Sequence, residues 1–207
     1  MPKPEKALKG YIKTESVILL VAVTLAIGFV SGVVFSAYRS SQATMGSLGT
    51  SAPQMTAQQQ ETLEALVERT EKNPQDFEAW TRLGHLYFDT GQPSIAIEAY
   101  ETALKINGNR PDVWTDLGVM YRRSGKSDKA IESFDNALSR DPNHQIALYN
   151  KGVVLMHDMK DPEAALSVWE RLVLLHPDAK TPAGEPLTHI IEQLKQNIEK
   201  QEKGPKS

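Results

Sequence analysis

The strongest constraint on what this chain can fold into is a set of seven residues that returns at one fixed distance. Trp80, Leu83, Gly84, Tyr87, Ala96, Tyr100 and Ala103 recur 34 residues later as Trp114, Leu117, Gly118, Tyr121, Ala130, Phe134 and Ala137, and Pro142 closes the second unit. A pattern of this period marks one supersecondary unit used repeatedly, each copy burying its apolar face on its neighbours. Within a unit, two amphipathic stretches of about 14 residues flank a turn such as Asp89-Thr90-Gly91-Gln92, so each unit reads as a helical hairpin. Gly84 with Ala96, and Gly118 with Ala130, supply the small side chains that let the paired helices pack closely, while the Trp and Tyr rings fill the interfaces.

A third unit follows at the same spacing. Leu148, Gly152, Leu155 and Ala164 match, whereas Lys151 stands where Leu is expected and Arg171 where Ala is expected. Lysine can lay its alkyl stem on apolar surface and keep its ammonium in water, so a weakened hairpin is expected rather than none. Upstream, ETLEALVERTEKNP sets Leu63, Leu66 and Val67 on one helical face and places Pro74 a full period before Gly108. Downstream, Leu187, Ile190, Ile191, Leu194 and Ile198 have the spacing of an amphipathic helix that would cap the open end of the stack.

The offsets of Trp, Leu-Gly, Tyr, Ala, aromatic, Ala and Pro resemble the tetratricopeptide repeat. The resemblance covers residues 60–176 and implies an all-α solenoid of about three hairpins with capping helices. Together with the periodic stretches on either side, it divides the chain into a capping helix or half repeat over 57–75, repeats over 76–109, 110–143 and 144–177, a C-terminal capping helix over 178–201 and a tail over 202–207 that should be disordered.

The N-terminal part has a different character. Residues 16–38, SVILLVAVTLAIGFVSGVVFSAY, carry no charge, and at about 1.5 Å per residue they are long enough to cross a hydrocarbon core of about 30 Å. This predicts a transmembrane helix. The competing reading is a cleaved signal peptide ending at a small-x-small site at Ala37, but its apolar run would ordinarily be about 7–15 residues. Lys3, Lys6, Lys9 and Lys13 precede the span, whereas only Arg39 follows it before Arg69, so residues 1–15 are expected in the cytoplasm and the body of the chain across the membrane. In a Gram-negative bacterium that means a bacterial inner-membrane anchor and a periplasmic array. Gly28, Gly32 and Ser36 lie on one face of the span, where small side chains would let two such helices associate into a homodimer. Residues 39–56 are small and polar with Gly46, Gly49 and Pro53, and read as a flexible tether.

Composition narrows the function. Residues 1–15 have a net charge of +2 and the remainder −5, with no basic stripe, so a phosphate backbone has no electrostatic footprint to meet and no nucleic-acid partner is expected. The chain has no cysteine, which removes disulfides, thiolate metal sites and covalent haem attachment. His85, His144, His157, His176 and His189 form no HxxxH or HExxH pair, and there is no GxSxG and no glycine-rich loop after a strand. No catalytic residue, metal or cofactor is therefore expected, and the chain reads as a binding protein rather than an enzyme.

In repeats of the resembled family the first helix of each hairpin lines a concave groove. The resemblance assigns that role here to Thr81, His85, Phe88, Thr115, Val119, Arg122, Tyr149, Val153 and Met156, which implies an apolar strip beside one arginine. Such a groove would hold a protein or peptide partner. Some cytosolic members clamp a C-terminal carboxylate with Lys, Asn, Asn, Lys and Arg. The matching positions here hold Thr81, His85, Asp116, Ile146 and Asn150, so that clamp is not expected. With its anchor and the stretch ERTEKNPQDFEAW, the chain also resembles the periplasmic tetratricopeptide parts of bacterial cytochrome c maturation and haem-lyase assembly factors. The alternatives are a cytosol-facing import-receptor-like protein, which the N-terminal lysines oppose, and an enzyme with a site hidden in the array.

Overall fold

The computed structural model of the protein describes residues 55–202. The expected membrane span over 16–38 with Gly28, Gly32 and Ser36, the basic segment 1–15, and all but the last two residues of the tether 39–56 lie outside the described residues. Among the described residues no helix is long and apolar enough to cross a membrane.

Among the described residues eight helices follow one another: α1 (Ala57–Lys72), α2 (Phe77–Asp89), α3 (Pro93–Ile106), α4 (Pro111–Arg123), α5 (Ser127–Arg140), α6 (Gln145–His157), α7 (Pro162–Leu175) and α8 (Leu187–Glu202). Short polar signals start them. Thr56 and Gln59 form a reciprocal capping box at α1, Asp76 caps α2 through the Ala79 N–H, and Pro93, Pro111 and Pro162 open α3, α4 and α7, where a missing N–H loses no helical bond. Each helix packs on the next in sequence, with α2 on α3, α4 on α5 and α6 on α7 as the closest pairs. The first helices α4 and α6 also touch one another, so the hairpins stack with their first helices in one layer and their second helices in another. The result is an all-helical solenoid of three hairpins, with α1 packed on α2 at one end and α8 packed on α7 at the other.

The close approach inside each hairpin comes from a glycine facing an aromatic ring: Gly84 against Tyr100, Gly118 against Phe134 and Gly152 against Trp169. A side-chain carbon at any of the three would overlap the ring, and at Gly118 it would lie 2.6 Å from the Phe134 ring. Tyr100 and Phe134 are fully buried. The indole N–H of Trp80 donates to the Pro74 carbonyl at 3.0 Å and that of Trp114 to the Gly108 carbonyl at 2.8 Å. Both rings thus satisfy their one polar group at the junction with the preceding unit.

The third hairpin corrects the expected register. Three residues separate α2 from α3 and α4 from α5, but four, Asp158 to Asp161, separate α6 from α7. From that point the period is 35. Ala164 is only half-buried, and Ala165, with no exposure, takes the place of Ala96 and Ala130. Trp169 replaces Phe134, and Leu172, 1% exposed, replaces Ala137. Arg171 therefore does not occupy an alanine position: it is exposed, and its guanidinium donates to the Pro142 carbonyl at 2.6 Å. Lys151 behaves as its chemistry suggests, stem half-buried and ammonium on Asp135 at 2.5 Å. Between Ala179 and Leu187 the chain is irregular, with one isolated antiparallel bridge between Lys180 and Pro186, and α8 then buries Leu187, Ile191 and Leu194.

Candidate protein-binding groove

Residues one period apart on α2, α4 and α6 form rungs across the first-helix layer. The rung of Thr81, Thr115 and Tyr149 changes character along the array. Thr81 and Thr115 are 5% and 2% exposed, and the Thr115 hydroxyl donates to the Pro111 carbonyl at 2.9 Å, so neither threonine presents a hydroxyl to a ligand. Tyr149 is half-buried and stacked on Trp169, ring centres 6.4 Å apart at 27°, and its backbone carbonyl accepts from the same indole at 3.1 Å. Burial raises its phenol pKa above the ordinary value. Tyr149 is thus an amphipathic platform fixed from behind.

On the next rung, His85 is exposed and its Nε2 meets Asp116 Oδ2 at 3.1 Å, while Val119 and Val153 are half-buried. The bond to Asp116 raises the His85 pKa, the Coulombic pull of Asp116, Asp89 and Glu78 adds to it, and partial burial opposes it. The third rung joins Phe88, Arg122 and Met156, all half-buried. The Arg123 guanidinium lies 4.4 Å from the Phe88 ring centre. Arg122 places its Nε 2.5 Å from Asp158 Oδ2, in the turn after α6.

The sequence places Arg122 beside the apolar strip but does not name the carboxylate it already holds, Asp158. No single spacing gives such pairs away: Asp158 lies 36 residues after Arg122, Asp116 31 after His85, and His144 32 after Asp112, although each pair joins one repeat to the next. His144 has a second role, because its Nδ1 accepts from the Ala147 N–H at 3.2 Å and caps α6 while Nε2 faces Asp112 at 2.9 Å. That arrangement requires the proton on Nε2. Ile146, one turn before Tyr149, is 60% exposed and was noted in the sequence only as a missing clamp position.

An open cleft of about 330 Å³ lies between α3, α4 and α5, lined by Leu104, Trp114, Leu117 and Tyr121 with Lys129 and Glu132 at its sides and by none of the groove residues above. Tyr121 is closed onto Glu101 by a short hydrogen bond, and burial first, then that bond, pushes its pKa up. Among the described residues no group of three or more His, Asp or Glu side chains could hold a metal ion.

Comparison with known proteins agrees with this geometry. Residues 77–110 and 111–144 match the tetratricopeptide repeat model, and residues 146–179 match a second tetratricopeptide repeat model. No curated protein sequence matches the chain. Among solved structures, MamA protein is 21% identical with a TM-score of 0.56, covering 58% of this chain and 65% of that one. YrrB, described as a TPR protein with an unusual peptide-binding site, is 22% identical with a TM-score of 0.55, covering 58% of this chain and 62% of that one. This chain thus spans less than two thirds of either. The first TPR of Spaghetti (RPAP3), bound to the HSP90 peptide SRMEEVD, is 20% identical with a TM-score of 0.53, covering 60% of this chain and 96% of that one. At these identities the likeness is one of fold.

Proposed function

Because the folded part is an array of three tetratricopeptide repeats, we propose that the protein is an adaptor that holds a segment of a partner protein against the first-helix layer, tethered to a membrane through residues 16–38. The observation that carries this reading is the continuity of that layer: α4 and α6 are in contact, and Val119, Tyr149, Val153 and Met156 are left partly exposed on it. One structural neighbour holding a peptide and another described as having a peptide-binding site support binding as the mode of action, and a groove of this kind takes an extended or helical segment by apolar anchors. The charge-free stretch over 16–38 and the lysines before it support an anchor with the array on the far side. The resemblance to cytochrome c maturation factors makes an envelope assembly client the first to test.

The experiment has two arms. An alkaline phosphatase fusion after Ser207 should be active in a bacterial host and one before Met1 inactive. Activity of only a cytoplasmic reporter at the C-terminus would replace this topology with the import-receptor arrangement. A partner cross-linked to the intact protein in its own membranes should then lose about thirtyfold in affinity on Tyr149→Ala, the usual loss for a desolvated aromatic anchor of ~2 kcal/mol. Full affinity in that variant, with helicity unchanged, would move recognition off this layer.

A further inference from the structure

The first-helix layer is divided electrically. Between the repeats several of its polar side chains are paired across the boundaries, Arg110 with Glu78 at 3.5 Å, His85 with Asp116 at 3.1 Å, His144 with Asp112 at 2.9 Å and Arg122 with Asp158 at 2.5 Å, while Arg82 and Arg123 are exposed on α2 and α4 and Arg123 lies over the Phe88 ring. The third repeat replaces these positions with uncharged residues. Ile146 stands one period after Asp112 and two after Glu78, Asn150 one period after Asp116, and Met156 one period after Arg122. Tyr149 and Val153 lie between them, and Ile146 is 60% exposed.

A carboxylate arriving at Arg122 would have to displace Asp158, and one arriving at His85 would have to displace Asp116, exchanging one ion pair for another at little net gain. An apolar side chain arriving on α6 displaces no ion pair. It removes Ile146, Val153 and Met156 from water and meets a tyrosine already fixed by Trp169, so little ordering remains to be done on the protein side.

We infer that the segment held here is uncharged at its anchors and carries large aliphatic or aromatic side chains that seat on α6, and that Asp158 is the chain's own carboxylate occupying Arg122, on the rung of Met156. This rests on the groove reading and adds the class of ligand to it.

The test uses the full chain in detergent with two labelled seven-residue peptides, each carrying a photo-cross-linker. One is acetylated and amidated, with Leu and Phe alternating with Ser; the other is SRMEEVD with a free C-terminus. The apolar peptide should bind, cross-link to α6, and keep its affinity within about twofold between about 0.05 and 0.5 M salt, because no ion pair contributes. Ile146→Asp and Val153→Asp should each weaken it about tenfold or more. Ile146 is exposed, so its variant keeps the fold, and comparison within one detergent cancels micelle binding. SRMEEVD should bind weakly, and Asp158→Asn, which frees Arg122, should strengthen it.

Tighter binding of SRMEEVD than of the apolar peptide, lost in Arg122→Gln, would overturn this inference while leaving the groove in place. Cross-links confined to α3, α5 or α7 would overturn the groove as well. Absence of apolar-peptide binding at millimolar concentration, or self-association of the chain that Ile146→Asp abolishes, would remove an apolar peptide as the occupant.

Discussion

His85 carries a pH dependence that the fold imposes on one residue. Its pKa is raised, chiefly by the hydrogen bond to Asp116, with Asp89 and Glu78 also favouring the charged ring. A group whose folded pKa lies above its unfolded value contributes stability below the unfolded value, about 6.5 for histidine, and loses it as pH rises through the folded pKa. Asp116→Asn should therefore destabilise the chain more at about pH 5.5 than at about pH 8.5 in urea unfolding. Equal loss at both would mean the pair is not formed in solution. Gly118 makes a different demand, since a methyl group there would lie 2.6 Å from the ring of Phe134, which is fully buried and has nowhere to go. Gly118→Ala should lower stability by about 1–3 kcal/mol, read as a drop in thermal midpoint with unchanged helix content. The need for Gly118 is visible in sequence because Gly84 and Ala130 repeat around it. The His85 pair is not, because its partner lies one repeat away at a spacing that only the rotation between hairpins defines.

Turns show why part of the element pattern was hidden. Gly91 and Gly125 sit at the centre of their three-residue turns with φ of 69° and 71°, and Lys160 takes the same left-handed conformation at 59° in the longer turn before α7. An L side chain in that region loses about 1–2 kcal/mol relative to its ordinary conformation. Lys160→Gly should raise stability by up to about 1 kcal/mol, with a higher urea midpoint and an unchanged slope. No change would show that the lysine side chain compensates for the strain. The extra residue in this turn escaped the sequence pattern because Ala164 and Ala165 are adjacent: a search at 34 finds an alanine in either register. Arg171 was the warning, being a charge at a position that should have been buried, and the structure resolves it by placing Leu172 there. Hairpin number, helix type and the capping role of Leu187, Ile191 and Leu194 were readable because each rests on local periodicity. Which face residues are already paired was not, because a pairing depends on two helices at once.

On the scale of the whole array, contacts run almost entirely between successive helices, so stability should be distributed along one dimension. α4 and α5 have a hairpin on either side, whereas α1 and α8 have packing partners on one side only. Native-state hydrogen exchange should accordingly protect α4 and α5 most and release α1 and α8 at lower denaturant. Exchange of all eight helices in one step would show that the junction pairs and carbonyl contacts make the array a single cooperative unit. The distribution of indoles makes such behaviour visible by light alone. Each repeat contains one tryptophan, and each indole N–H is bonded to a backbone carbonyl of its own junction or hairpin, at Pro74, Gly108 and Tyr149. With any two replaced by Phe, the emission colour of the third becomes a private gauge of how far its own repeat has opened, and the array carries its three optical probes without a label.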